Sequence, residues 1–288
     1  MKIKETPTQK VLSNTQINLG DFVINPYRGC EFSCAYCYCQ KNKNINGDDF
    51  GNTLSIKTNA PEILKKELRF KKPERVLIGS TTECFQYKEE EYKITEQILS
   101  ILNSHSIPYT ILTKSHLIRN YLGLIKKNNK NKIYFTLNFS KQVLINIFEK
   151  KSSSLEERLN TISRIKDAGI DLRIHIGPFM PFISDLEEIL KLVPNTINEI
   201  DVELYHHKQG NFKKILDLTK EHINTKTAEN LATVYSSPSQ HLAYASLIKR
   251  KIKELAKSYP GQFYFILADF NGYYNSGMDY QKPLIIRR

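Results

Sequence analysis

The chain has 288 residues, 40% hydrophobic and 25% charged, which excludes disorder and gives one large or two small globular domains at roughly 100–200 residues each. Lys and Arg number 42 against 30 Asp and Glu, a net charge of +12 that attracts nucleic acid, although lysines spread along the whole chain read equally well as a solvated surface. No apolar run reaches the ~18 residues of a membrane span, no signal peptide opens the chain and five cysteines are an odd count, so a secreted disulfide scaffold is excluded and a reduced, cytoplasmic setting is expected.

In chain order, Phe22–Asn25 is a predicted strand running into Pro26. Asn59 caps a predicted helix that has Pro61 in its first turn and buries Ile63, Leu64 and Leu68. Arg75–Ile78 is a strand ending in the loop Gly79-Ser-Thr-Thr. Ile94, Ile98, Ile101 and Leu102 recur at helical spacing. Tyr109–Leu112 and Ile133–Leu137 are strands, separated by a helical segment rich in Ile and Leu after Ser115. Ser153 and Ser154 each stand three residues before a glutamate, a doubled capping-box signature. The helix they open buries Leu155, Leu159, Ile162 and Ile165 and stops at Gly169. A strand at Leu172–Ile176, a short helix after Ser184 and a strand at Ile200–Leu204 follow.

Strands alternating with helices predict an α/β protein built from parallel βα units. Six strands before Tyr205 are too few for the closed eight-stranded barrel, so the expected architecture is a partial, open (β/α)6 TIM-like barrel. After Tyr205 the rhythm changes. A long helix carrying Ala245, Ile248, Ile252 and Leu255 precedes an apolar strand, Phe263–Leu267. The expected division is a barrel core over residues 1–206 and a C-terminal α/β extension, residues 207–288, packed on it. Asn42–Asp49 is a polar loop. The aromatic, Gly-rich tail from Phe270 to Tyr280 is expected to lock the extension onto the barrel.

Cys30, Cys34 and Cys37 stand in the pattern CxxxCxxC on the loop that follows the first strand. That is the carboxyl-end face, where barrel enzymes keep their chemistry. Three thiolates on a short loop suit a soft metal centre. On a four-iron cluster they leave one iron open, and an open position separates a reactive metal from a structural one. The alternative is a zinc site completed by Cys39 or Cys84, in a non-catalytic zinc or iron–sulfur module that binds nucleic acid through its basic charge. Zinc ribbons show paired knuckles, whereas this chain has a single knuckle group. Cys39 otherwise reads as a buried bystander.

The cysteine pattern, with an aromatic just before its last cysteine, resembles the signature of the radical S-adenosylmethionine (SAM) superfamily. Cys37 flanked by Tyr36 and Tyr38 resembles the spore photoproduct lyase branch of it. The resemblance runs from about Asn25 to Pro181. Gly79-Ser-Thr-Thr-Glu83 stands where the family has its second-strand SAM loop. Thr113-Lys114-Ser115, Thr136-Leu-Asn138, and Phe148-Glu149 with Leu155-Glu-Glu-Arg158-Leu and Ala168-Gly169 are similar to the segments that follow.

This resemblance implies a [4Fe-4S] cluster on Cys30, Cys34 and Cys37, with SAM on the open iron. Reduction by an external flavodoxin- or ferredoxin-like donor would release a 5′-deoxyadenosyl radical that takes hydrogen from an unidentified substrate. Nucleic acid, a peptide and a natural-product precursor are the candidates. Gly79, Ser80, Thr81, Thr82 and Glu83 are expected to bind SAM, Glu83 through the ammonium group. Lys114 is expected on the carboxylate, and Thr136 and Asn138 on ribose or carboxylate. Tyr36 and Tyr38 are the candidate catalytic residues, because in this branch they help to pass a hydrogen atom. Their cysteine partner in the branch corresponds to Ser80 here, so DNA photoproduct repair is not expected. Cys84 lies four residues further on, away from the matching position. His175 and the His206-His207 pair read as satisfied structural groups.

Overall fold

A computed structural model of the chain describes residues 1–41, 50–209 and 211–272. The Asn42–Asp49 loop and the tail from Tyr273 onward lie outside the described residues.

Short strands β1 (Lys2–Glu5) and β2 (Ser13–Asn14) precede β3 (Phe22–Ile24), β4 (Tyr27–Arg28) and β5 (Thr53–Ile56). Strand and helix then alternate through α1 (Ala60–Glu67), β6 (Val76–Ile78), α2 (Glu89–Tyr92), α3 (Ile94–Ser104), β7 (Tyr109–Thr113), α4 (Leu122–Ile125) and β8 (Lys132–Thr136). They continue through α5 (Gln142–Phe148), α6 (Leu155–Asp167), β9 (Asp171–Phe179), α7 (Leu186–Leu192) and β10 (Glu199–Leu204). Three helices, α8 (Phe212–His222), α9 (Thr225–Val234) and α10 (Pro238–Ser258), lead to β11 (Gln262–Ile266).

Strands β3, β6, β7, β8, β9, β10 and β11 pair in parallel in that order, and β2 pairs antiparallel with β3. Strands β1, β5 and β4 form a small separate sheet. The main sheet is an open partial barrel among the described residues, ending at β2 and β11. The strand predicted at Phe263–Leu267 hydrogen-bonds to β10 and continues the same sheet as its seventh parallel strand.

Successive side chains of a strand point to opposite faces. One face of the sheet carries Ile24, Ile78, Ile111, Ile133, Phe135, Ile174 and Val202, all fully buried in the main core. Parallel strands covered by helices need that uniform apolar face. The other face carries Val23, Leu77 and Leu112 on the early strands. It turns polar on β9 and β10, where Arg173, His175 and Asp201 stand. A second core forms around Phe139, Phe148, Met180, Tyr205, Ile215, Leu231 and Tyr235 and takes in Phe32, Cys34 and Tyr36. Helices α8 and α9, which the sequence reading does not separate, supply Ile215, Leu231 and Val234 to it.

Only one of the paired serines caps α6. The Ser154 hydroxyl accepts from Glu157 N at 3.2 Å, and the Glu157 carboxylate accepts from Ser154 N at 2.8 Å. Ser153 instead accepts from His116 N at 2.8 Å and ties α6 to the segment after β7. Asn59 stands at the N-cap position of α1 without capping it. Its amide pairs with the backbone of Thr8, accepting at 2.8 Å and donating at 3.0 Å. Removing the Ser154 hydroxyl in Ser154→Ala should therefore cost about 1 kcal/mol of stability, read as a lower urea midpoint with an unchanged slope.

Candidate active site

The carboxyl ends of the parallel strands open onto one cavity of about 450 Å³. Cys30, Cys34 and Cys37 line it from the loop after β4. Gly79, Ser80, Thr81, Thr82 and Glu83 line it from the end of β6, Lys114 from β7 and Thr136 from β8. Tyr36 and Tyr38 line it as well, and so does Cys39.

The cysteine loop is anchored by its backbone. Gly29 adopts φ 97°, a conformation that glycine reaches without strain, and Gly29 O accepts from the Thr82 hydroxyl. Glu31 N donates to Gln86 Oε1 at 2.9 Å, and Ala35 N donates to Phe148 O at 2.8 Å. Gln40 Nε2 donates to Cys34 O at 2.7 Å and Ala35 O at 2.9 Å, and Asn211 Nδ2 to Cys37 O at 3.1 Å. Asn25, just past β3, bridges to the neighbouring loop. It accepts from Thr81 N at 2.9 Å and donates to Ser80 Oγ at 3.3 Å.

Burial, with neighbouring thiols and Glu83, pushes the Cys30 thiol up to about 12. Burial does the same for Cys34, also to about 12, against the pull of Lys114. Cys37 is raised by its contact with Cys39 and by burial. Thiols held this high are poor free nucleophiles and lose their protons to a metal that binds them. Among the described residues, no three His, Cys, Asp or Glu side chains are arranged to hold a single ion. Three cysteines facing one cavity supply the thiolates that an iron–sulfur cluster takes.

Glu83 is held by three donors of its own chain. It accepts from the Thr113 hydroxyl at 2.7 Å, Phe85 N at 3.0 Å and Lys114 N at 3.1 Å. Burial still raises its pKa above the usual carboxylate range. Burial opposes the charge on Lys114, but Cys34, Glu149 and Glu83 outweigh it and lift its pKa. Tyr36 is buried, and its hydroxyl donates to Glu149, behind the cysteine loop. Tyr38 is 39% exposed and donates to Ser80 O at 2.7 Å.

One expected ligand, Asn138, stands apart from the others. Asn138 does not line the cavity: it is fully buried and donates to Tyr36 Oη at 2.8 Å and Glu149 Oε1 at 3.1 Å. Strand β8 ends at Thr136, Leu137 N still donates to His175 O of β9 at 3.0 Å, and Asn138 follows in the segment that leads to α5.

A family model described as the radical SAM superfamily matches residues 24–193. The chain belongs to the radical SAM superfamily. An uncharacterized protein of Methanocaldococcus jannaschii is 28% identical over 192 residues, 66% of this chain and 72% of that protein. An uncharacterized protein of Mycobacterium tuberculosis is 29% identical over 178 residues, 59% of this chain and 52% of that protein. The match thus spans about half the length of the mycobacterial relative. Among solved structures, a spore photoproduct lyase mutant with bound AdoMet and dinucleoside spore photoproduct is similar at a TM-score of 0.66 and 14% identity, over 91% of this chain and 80% of that one. A second mutant of that lyase is similar at a TM-score of 0.54 and 17% identity, over 70% of this chain and 60% of that one. At these identities the likeness is one of fold. The cofactors of the superfamily are a [4Fe-4S] cluster and SAM, and the three-thiol wall fits the first of them.

The sequence reading missed the radical SAM cavity's wall on β9 and β10. His175, Gly177, Glu203 and His206 line it. His175 Nδ1 lies 3.6 Å from Asp201 Oδ2, and Nε2 lies 3.6 Å from Glu203 Oε2. The imidazole occupies the space over Gly177, where a Cβ would come within 2.1 Å of Nε2. The signal was present as period-two polarity: Arg173, His175 and Gly177 alternate with Ile and Leu, as do Glu199, Asp201 and Glu203. His207 is packed among rings, with Tyr235 and Phe270 centroids each 4.8 Å away, but its Nδ1 is buried without a hydrogen-bond partner among the described residues, and burial pushes its pKa down to about 4.

Cys84 is fully buried and outside the cavity lining. Its sulfur fills the space beside Gly79, which adopts φ 85°. A Cβ on Gly79 would lie 2.9 Å from Cys84 Sγ and 3.0 Å from Leu112 O. Gly79→Ala should therefore destabilise the fold by about 1–3 kcal/mol. By equilibrium dialysis it should also weaken SAM binding about tenfold or more, with iron content preserved.

Proposed function

We propose that this radical SAM enzyme carries its cluster on Cys30, Cys34 and Cys37 and removes a hydrogen atom from an organic substrate received beside the β9–β10 wall. The observation that carries this reading is the meeting of the three cysteines, Lys114 and the Gly79–Glu83 loop in one cavity. When bound, the cluster and SAM supply one-electron cleavage of a sulfonium and hydrogen-atom abstraction; the protein supplies orientation and exclusion of competing reactions.

Each residue then has a physical task. Lys114 stays protonated in a buried place and offers its ammonium to the SAM carboxylate. Glu83 frames that site by fixing the backbone at Phe85 and Lys114, and the SAM ammonium group is its further partner. Gly79 lets the loop backbone approach the ligand, and Thr136 offers a hydroxyl to the ribose or carboxylate. Phe32, Leu112 and Leu204 line the cavity and limit water. The electron comes from an external flavodoxin- or ferredoxin-like donor, and the working compartment is the reducing cytoplasm.

The net reaction on this reading is not photoproduct repair. Ser80 lines the cavity and presents an O–H, a poor hydrogen-atom donor beside a thiol. Cys84 is shut off behind Gly79. Dinucleoside spore photoproduct supplied to the reduced enzyme with SAM should yield no thymine. Efficient repair that disappears in Cys39→Ala would overturn this and give the hydrogen-donor role to the remaining cavity thiol.

Metal content tests the ligand assignment. Anaerobically purified protein should be brown with about four irons per chain. Cys30→Ala, Cys34→Ala and Cys37→Ala should each lose them, whereas Cys39→Ala should keep them. A colourless zinc protein would sink the proposal. Lys114→Ala should leave the iron in place and cost about 1.5–3 kcal/mol in SAM binding.

A further inference from the structure

Behind Cys34, outside the cavity lining, sits a buried knot of charge. The side chains of Glu149 and Arg158 are both 0% exposed and form an ion pair. Glu149 also accepts from the Tyr36 hydroxyl and, at 3.1 Å, from Asn138 Nδ2. Arg158 Nε donates to Ser153 O at 3.0 Å. The knot is joined to the cysteine loop twice. Tyr36 belongs to that loop, and Ala35 N donates to the carbonyl of Phe148, the residue before Glu149. Lys114 lies over the Tyr36 ring, 5.8 Å from its centroid.

A buried ion pair is a poor device for stability, because desolvating two charges offsets most of their attraction. Its position points to another use. Lys114 and Arg158 contribute two positive charges and Glu149 one negative charge, so these three groups sum to a single positive charge. All three groups reach the Cys34 segment, Glu149 through the Tyr36 hydroxyl, Arg158 through Glu149 and Lys114 over the Tyr36 ring.

We propose that Glu149 and Arg158 act in opposite directions on the reduction potential of the iron–sulfur cluster, so that their balance leaves the charge of Lys114 uncancelled behind Cys34. Both are positioning residues, since neither lines the cavity. The inference rests on the assignment of Cys30, Cys34 and Cys37 as ligands. Charges act over several ångströms in a low-dielectric interior, and net charge and burial are among the quantities that set iron–sulfur potentials. The reduced cluster holds one more electron, so nearby positive charge favours it. Glu149 therefore holds the potential down and Arg158 holds it up. Glu149 remains ionised despite burial because Arg158 and Lys114 face it and Tyr36 donates to it.

The test is a redox titration of the reconstituted holoenzyme, followed by electron paramagnetic resonance, without SAM or substrate. Glu149→Gln keeps the shape and removes the negative charge, so the midpoint potential should rise. Arg158→Gln should lower it, with Lys114, Tyr36 and Asn138 still facing the carboxylate. The double variant restores a net single positive charge and should return to the wild-type value. Arg158→Lys keeps the charge without the guanidinium fork and should also stay there. A purely structural pair would move both single variants the same way, in step with their melting temperatures, and that result overturns the proposal. So does an unmoved potential in fully loaded Glu149→Gln. Should a single variant fail to fold, Arg158→Lys and the double variant decide: a potential away from wild type in either overturns it. Failure of the ligand assignment looks different, as iron retained in Cys34→Ala or lost in Cys39→Ala.

Discussion

A loop that carries three thiols into a cavity must find partners for its buried backbone polar groups, since an unpaired buried amide or carbonyl costs as much as a lost hydrogen bond. Most of the carboxyl-end face answers that requirement. Gln40, Asn211 and Thr82 donate to loop carbonyls, and Gln86 and the carbonyl of Phe148 accept from loop amides. These partners come from the loop itself, from the segments after β6 and before α8, and from the end of α5. The position of each segment is therefore set by the geometry of the loop as much as by its own hydrophobic face. Tyr235 extends the chain of contacts: its hydroxyl donates to Tyr205 O at 2.5 Å, and the Tyr205 hydroxyl donates at 2.5 Å to Asn211, which holds Cys37 O.

Two buried carboxylates divide the electrostatic work. Glu83 is neutralised chiefly by neutral donors, Thr113 and two backbone amides, so burial wins and its pKa rises. Burial raises the pKa of Glu149 too, but two cations, with hydrogen bonds from Tyr36 and Arg158, together outweigh it and the pKa falls. The same side chain, equally buried, thus holds a loop in one place and a charge in the other. The difference lies in Arg158, the second full charge that Glu149 faces, where Glu83 has Lys114 and neutral donors.

The sheet was legible because its parallel strands are short apolar runs set between helical periodicities, as Val76–Ile78 and Ile133–Phe135 show. The cysteine loop was legible because its spacing is local. What sequence could not order was contact across long separations. Asn138 shares a short motif with Thr136, yet one is buried behind the loop and the other faces the cavity. Ser153 and Ser154 carry the same capping signature, and only the tertiary contact of Ser153 with His116 separates them. Helices α8 and α9 were missed because their apolar residues face a small second core rather than the sheet. The His175–Glu203 wall lay hidden in the alternation of β9 and β10, where a polar residue inside a strand reads as a satisfied core group until the curvature of the sheet is known.

The seven parallel strands stand in space in the order in which they occur along the chain, from β3 to β11. No strand has to be inserted between two that are already paired. The sheet can therefore grow from one edge as the polypeptide leaves the ribosome, each new strand docking on the last, which keeps every pairing step close to the shortest loop a parallel connection allows. The exceptions are the first step, where β4, β5 and α1 separate β3 from β6, and the last, where α8, α9 and α10 separate β10 from β11. Until that segment is synthesised, β10 is an exposed edge with unpaired backbone groups. A nascent chain stalled before Gln262 would present the cysteine loop and most of the cavity already assembled beside an open, adhesive border.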